Sequence, residues 1–412
     1  MKPVILFVDD EVAVLDGLCR QLRRQRELWD LRFASSGREA LELLAAGPVD
    51  VVVTDVRMPD VDGLTLLRTA RARHPEVARM VLSGYCEPAE ERQVYQVAHR
   101  VLPKPCEHKR LVEALEQAVG MRALVSDPVV RALVGGIERL PAVPQVYTQL
   151  MSVLDDDRSD AQAVARIIER DSVLVASVLR GANSAAFGVV EPVTRVRDAV
   201  AYLGRRLISS MVLGVAMLDR FREAGVPPAF LRLFQARAMA TANVAMRIAD
   251  RKERDDAYAA GMLHDIGQLV LFVTFGEGYQ ILLGSDDPVV AEVAALGASH
   301  DQVGAYLLGL WGVPVAVVAA VAGHHAPLDA DATNLSRAMR IAPPLVAASQ
   351  ASLAYAASLV ETWSLTPAER ARAQAWLSDA SPRATAPASV ASRPVTYRAQ
   401  RGPDGVPQGP RR

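Results

Sequence analysis

Over the first 120 residues, short apolar runs alternate with longer stretches of helical period. Val4 to Val8, Leu31 to Ala34, Val49 to Thr54, Arg79 to Ser83 and Val101 to Lys104 have the length and composition of strands. Between the first two, Leu15, Leu18 and Leu22 recur at helical spacing with Arg20, Arg23 and Arg24 among them, the pattern of an amphipathic crossover helix. Leu111 to Val119 reads as the last helix of this unit. Strands alternating with helices predict a parallel α/β sheet.

Beyond that helix the strand-like alternation disappears and Ala, Leu, Val and Arg dominate, so a second, all-helical domain is expected. Pro141 and Pro144 open a helix containing Leu150 and Leu154. Turn signals at Gly204, at Pro227 with Pro228, and at Gly276 with Gly278 divide the rest. The expected division is a first domain at 1–120, a connector at 121–134, a helical domain at 135–375 and a tail at 376–412. From Ser381 onward the chain carries six arginines and the single acid Asp404 among Pro, Ala and Gly, a composition that favours a disordered, solvated tail.

With 46 basic and 47 acidic side chains the formal net charge is −1, which supplies no overall pull toward nucleic acid or an anionic membrane. Outside the tail there is no basic stripe of the kind that reads DNA, so no nucleic-acid partner is expected. Cys19, Cys86 and Cys106 are scattered and unpaired in pattern, which suits reduced thiols. The run Val4 to Val8 is too short for a signal peptide, and no stretch approaches the ~18 apolar residues of a membrane span. The expectation is a cytoplasmic protein without membrane insertion.

In an open α/β sheet, functional side chains gather at the carboxyl ends of the strands. Asp9 and Asp10 follow the first strand, Asp55 ends the third, Ser83 the fourth and Lys104 the fifth. Three neighbouring carboxylates repel one another and call for a hard divalent cation, which in a site open to phosphate suggests Mg²⁺.

The stretches VDDE at 8–11, TDVRMPDVDG at 54–63, LSGY at 82–85 and LPKP at 102–105 resemble the response-regulator receiver family over residues 1 to about 120. The resemblance implies a flavodoxin-like five-stranded parallel sheet of order 2-1-3-4-5. Asp55 would be the phosphoacceptor, its carboxylate attacking the phosphorus of a phosphohistidine on a sensor histidine kinase or phosphotransfer protein. Asp10 would bind Mg²⁺ directly, Asp9 largely through water, and the Arg57 backbone carbonyl would add an oxygen. Lys104 would pair with the phosphoryl oxygens, and Ser83 would hydrogen-bond one of them. Where such domains usually carry a switching aromatic, this chain has Val101, with Tyr85 or Tyr95 as candidate substitutes.

Of seven histidines, His264, His300, His324 and His325 fall in the helical region, with Asp265 and Asp301 next to the first two. Imidazole and carboxylate together suit Zn²⁺, Mn²⁺ or Fe. The stretches LPAVPQV at 140–146, DSVLVASVLRGANSAAFG at 171–188, AVAYLGRRLI at 199–208, AAGMLHDIGQLVL at 259–271, SHDQVGAYLLGLWGVP at 299–314 and GHH at 323–325 resemble the HDOD family. That family is an all-helical output domain related to HD-type metal phosphohydrolases. The catalytic relatives need an earlier histidine and a late aspartate. Arg237 stands near the first of these positions and Pro343 near the second.

A cation at Arg237 would repel a metal and pair with Asp265. The expectation is therefore a degenerate site at His264, Asp265, His300, His324 and His325, with a transition metal disfavoured. Output would then pass by binding an unidentified protein partner, with phosphorylation at Asp55 changing either dimerisation, a homodimer being one outcome, or interdomain packing. The alternative is a metal-dependent hydrolase acting on a nucleotide or cyclic dinucleotide.

Overall fold

The computed structural model describes residues 2–84, 93–94, 97–124, 128–136, 145–154, 159–183, 187, 191–329, 331–351 and 353–380. Five strands form one sheet among these: β1 Val4–Val8, β2 Asp30–Ala34, β3 Val51–Asp55, β4 Ala78–Ser83 and β5 Arg100–Pro103, parallel throughout and ordered β2-β1-β3-β4-β5. Ile5, Phe7, Val53 and Met80 point to one face, while Leu6, Val8, Val52 and Val81 point to the other. Both faces are buried because helices cover both, which is why the strand sequences read as continuous apolar runs.

The helix predicted at 111–119 runs from His108 to Leu124, past the expected boundary at 120. The first described helix of the connector is Pro128–Gly136. From Gln145 to Ala380 the described residues form helices and no strands. The last helix, Pro367–Ala380, runs five residues beyond the expected end of the domain at 375. It is held by Arg247 to Asp379 at 2.6 Å and by Arg372 to Asp250 at 2.9 Å, so the folded body includes it. The helix expected to open at Pro141 and Pro144 is described from Gln145 to Leu154; both prolines, Tyr85, Tyr95 and the tail beyond 380 lie outside the described residues.

One segment, Arg254–Phe275, is long and apolar enough to cross a membrane by composition, contrary to the expectation that none would be. It consists of two helices, Arg254–Leu263 and Ile266–Phe275, that meet at His264 and Asp265, and 83% of its apolar window is buried in the protein. Its apolarity is accounted for by the helices that surround it: Arg254–Leu263 packs on Pro228–Ile248 and Ile266–Phe275 on His300–Leu310.

The two domains share a core. The sheet face bearing Phe7 and Met80 continues through Leu111 and Leu115 into Val130, Val134 and Tyr306. Arg79, only 3% exposed near the start of β4, donates from Nε to the Val97 carbonyl at 2.9 Å and from Nη2 to the Gly135 carbonyl at 3.1 Å. A side chain at Gly135 would strike the Pro75 carbonyl, its Cβ falling 1.5 Å from that oxygen, so the connector helix docks only because this residue is glycine. Farther along the interface, Arg100 Nη1 donates to Gln117 Oε1 at 2.8 Å, and Gln117 Nε2 donates to the Val313 carbonyl.

Candidate functional site

The parallel register brings the ends of β1, β3, β4 and β5 level: Val8 lies opposite Thr54, Asp55 opposite Leu82, and Ser83 opposite Pro103. Residues at or just after those ends are therefore neighbours. Lys104 Nζ sits 2.7 Å from Asp9 Oδ2 and 2.9 Å from Asp55 Oδ2. The other carboxylate oxygens accept backbone amides, Asp9 Oδ1 from Glu11 at 3.0 Å and Asp55 Oδ1 from Val56 at 2.6 Å. Burial alone would lower the Lys104 pKa, but the bonds to Asp9 and Asp55 raise it above its ordinary value, so the ammonium is firmly charged.

Asp9, Asp10 and Asp55 each offer a carboxylate oxygen within 4.8 Å of the others. That all-oxygen, anionic donor set fits a hard cation such as Mg²⁺. Asp10 is exposed and Asp55 half-buried, leaving the pocket open to a reactant. Ser83 is buried at the same end of the sheet and Arg57 is exposed on the loop after Asp55. Val101 packs on the side of the sheet away from Phe7 and lines a cavity of about 220 Å³ between the domains, shared with Tyr147, Met151 and Trp311.

The second cluster forms where three helical turns meet. His264 and Asp265 join the helices Arg254–Leu263 and Ile266–Phe275, His300 begins the helix His300–Leu310, and His324 and His325 follow Val315–Ala322. Gly267 lets two of these elements touch, since a Cβ there would fall 1.9 Å from the His300 carbonyl oxygen. Asp265 Oδ2 lies 2.8 Å from Arg237 Nη2 and 3.2 Å from His264 Nε2, while Oδ1 lies 3.2 Å from His300 Nε2.

Burial pushes the Asp265 carboxyl upward, but His264 and Arg237 outweigh it and hold the group well below the usual carboxylate range. Burial lowers His300, yet its bonds to Asp265 and Glu292 carry it up to about 10. Burial, reinforced by the neighbouring imidazoles, keeps His324 and His325 below their ordinary value and therefore neutral near pH 7.

Arg237 thus stands against Asp265 as its place in the sequence suggested, and Pro343 lines the same cavity of about 790 Å³. Asp301, although adjacent to His300, is not among the converging groups; those are Asp265, His300, His324 and His325. Sequence reasoning missed Glu292, which is fully buried and accepts from the His300 backbone amide at 2.8 Å and from the Tyr279 hydroxyl at 2.6 Å. It also missed Gln268, which accepts from Arg237 at 2.5 Å. A single acid within the apolar stretch PVVAEVAAL was the available signal for Glu292, because a carboxylate in such a helix must have a buried partner or face water.

Among known families, residues 5–116 match the response regulator receiver domain and residues 140–327 the HDOD domain. The sensor kinase CckA of Brucella abortus (strain 2308) is 41% identical over 116 residues, 27% of this chain and 12% of that protein. The response regulator MprA of Mycolicibacterium vanbaalenii is 37% identical over 123 residues, 29% of this chain and 49% of its own length. This chain therefore spans under half the length of these curated relatives. Among solved structures, an HDOD domain protein of unknown function from Geobacter sulfurreducens is 26% identical, with 55% of this chain and 78% of that one covered and a TM-score of 0.45.

Proposed function

We propose, for a chain that carries a response regulator receiver domain at residues 5–116 and an HDOD domain at residues 140–327, that a phosphoryl group on Asp55 controls a helical output domain acting by binding. Lys104 held between Asp9 and Asp55 carries this reading, because it supplies a fixed cation where the charge of a phosphoryl group would arrive. In the transfer an Asp55 carboxylate oxygen bonds to phosphorus as the bond from phosphorus to the donor imidazole nitrogen breaks. The donor is a histidine kinase or a phosphotransfer protein. Asp9, Asp10, Asp55 and the Arg57 carbonyl would hold Mg²⁺, which neutralises charge on the phosphoryl oxygens when bound. Ser83 is the group assigned to hydrogen-bond a phosphoryl oxygen after transfer.

The domain limits follow the same reading, with the receiver ending near 120, a connector at 121–134, and the output domain extending through Ala380. For that domain a two-metal hydrolytic centre is disfavoured, because Arg237 holds one oxygen of Asp265 and Pro343 offers no ligand. Hydrolysis of a nucleotide or cyclic dinucleotide stays the competing reading on the strength of the converging His and Asp groups.

Labelling with a small acyl phosphate and Mg²⁺ tests the proposal. Wild type is expected to take up one phosphoryl group per chain, and folded Asp55→Asn none; labelling that persists in Asp55→Asn would remove Asp55 as the acceptor.

A further inference from the structure

A cavity of about 330 Å³ opens among four helices of the second domain, Ser172–Ala182, Arg205–Glu223, Pro228–Ile248 and Arg254–Leu263. That volume falls at the lower end of the range for small-molecule sites. Its apolar wall is made largely of thioethers, with Met211, Met239 and Met262 each coming from a different helix. Gly181 lines it without a side chain; a Cβ there would stand 3.4 Å from the Met211 sulfur and narrow the space. Unbranched, polarisable methionines adapt to an apolar body of variable shape.

The polar groups of this cavity are donors without acceptors. Tyr258 lines it at 3% exposure, its ring tilted against Phe187 with centroids 5.9 Å apart, and its hydroxyl has no hydrogen-bond partner among the described residues. Burial pushes the pKa of that hydroxyl above its ordinary value, so it stays a proton donor. A buried hydroxyl with no acceptor carries a desolvation cost that an incoming acceptor would offset. Arg180 and Arg232 line the same cavity from two exposed positions, and neither forms an ion pair or hydrogen bond among the described residues. None of the described residues lining it is acidic. Two guanidinium groups and a buried phenol around one apolar space suit an anion with a hydrocarbon body, since charge-assisted bonds to guanidinium are the strong ones.

We propose that this cavity binds a small organic anion with an apolar body, a medium-chain or arylalkyl carboxylate. Arg180 and Arg232 meet the anionic head, Tyr258 donates its hydroxyl proton to a carboxylate oxygen, and Met211, Met239 and Met262 pack on the hydrocarbon. A ligand seated there touches four helices at once and stabilises the arrangement it binds, which gives the helical domain an input of its own. The inference goes beyond phosphorylation at Asp55 and is independent of it.

The test is calorimetric titration of the full chain with octanoate and with phenylbutyrate, against octanol and acetate, which lack the charge and the apolar body respectively. Saturable binding of one octanoate or one phenylbutyrate per chain is expected, the tighter of the two identifying a straight or an aromatic body, with octanol and acetate about tenfold weaker or more. The double variant Arg180→Gln with Arg232→Gln, altered at exposed positions, is expected to bind the carboxylate about tenfold more weakly. Tyr258→Phe is expected to bind it about fivefold more weakly while its ligand-free thermal midpoint is no lower than that of the wild type, because the hydroxyl removed has no partner to lose. No saturable binding of either carboxylate, several molecules per chain, octanol binding as tightly as octanoate, or unchanged affinity in either variant would each overturn the proposal. A ligand-free Tyr258→Phe protein less stable than wild type would overturn it as well, since the hydroxyl would then already be satisfied within the fold.

Discussion

Arg337 and Glu369 show how a buried ion pair closes the helical domain. Arg337 Nε lies 2.7 Å from Glu369 Oε1 and Nη2 lies 2.8 Å from Oε2, a two-pronged contact between Asn334–Ala351 and Pro367–Ala380. Burial would raise the Glu369 carboxyl, but Arg337 and Thr366 together hold it below its ordinary value of 4.5. A depressed folded value means that the stabilisation from this charge is fully present above pH 4.5 and is lost as pH falls through the lower folded value. Glu369→Gln is therefore expected to cost about 1–3 kcal/mol at pH 7, and the gap from wild type to narrow below pH 4.5. Parallel denaturant titrations at pH 7 and pH 3 check this; a gap of equal size at both values would contradict it.

At the scale of elements, the strands were readable because a sheet buried on both faces demands apolar runs, and its chemistry lies where those runs end. Asp55 and Lys104 were legible for that reason: the fold dictates that strand ends meet. Glu292 and Tyr279 were not, since their importance depends on which helix packs over His300, and that pairing leaves no local period. Arg79 was hidden in the same way. A lone cation in a buried strand signals a partner, but one of its acceptors is the Gly135 carbonyl in a helix 56 residues away in sequence. Gly135→Ala is expected to push Pro128–Gly136 off Pro75 and speed proteolysis between the domains, while uptake of phosphate at Asp55 is retained. Unchanged cleavage would show that the close approach does not hold the domains together.

Across the whole molecule, the acidic pocket around Asp55 and the helical domain are joined through β4 and β5. Ser83 and Lys104 lie at or just beyond the ends of these strands, while Arg79 and Arg100 within them bond toward Gly135 and Gln117, and Gln117 reaches Val313. A phosphoryl group on Asp55, as proposed, would share Lys104 with Asp9 and Asp55, and that change in pairing would give the strands a reason to shift and the interface a reason to loosen. Hydrogen exchange across the full chain, with and without an acyl phosphate and Mg²⁺, tests this coupling most directly. The account predicts faster exchange in Pro128–Gly136 and His300–Leu310 on phosphorylation of the wild type and no change in Asp55→Asn. Full phosphorylation of Asp55 with exchange in both helices unaltered would contradict it.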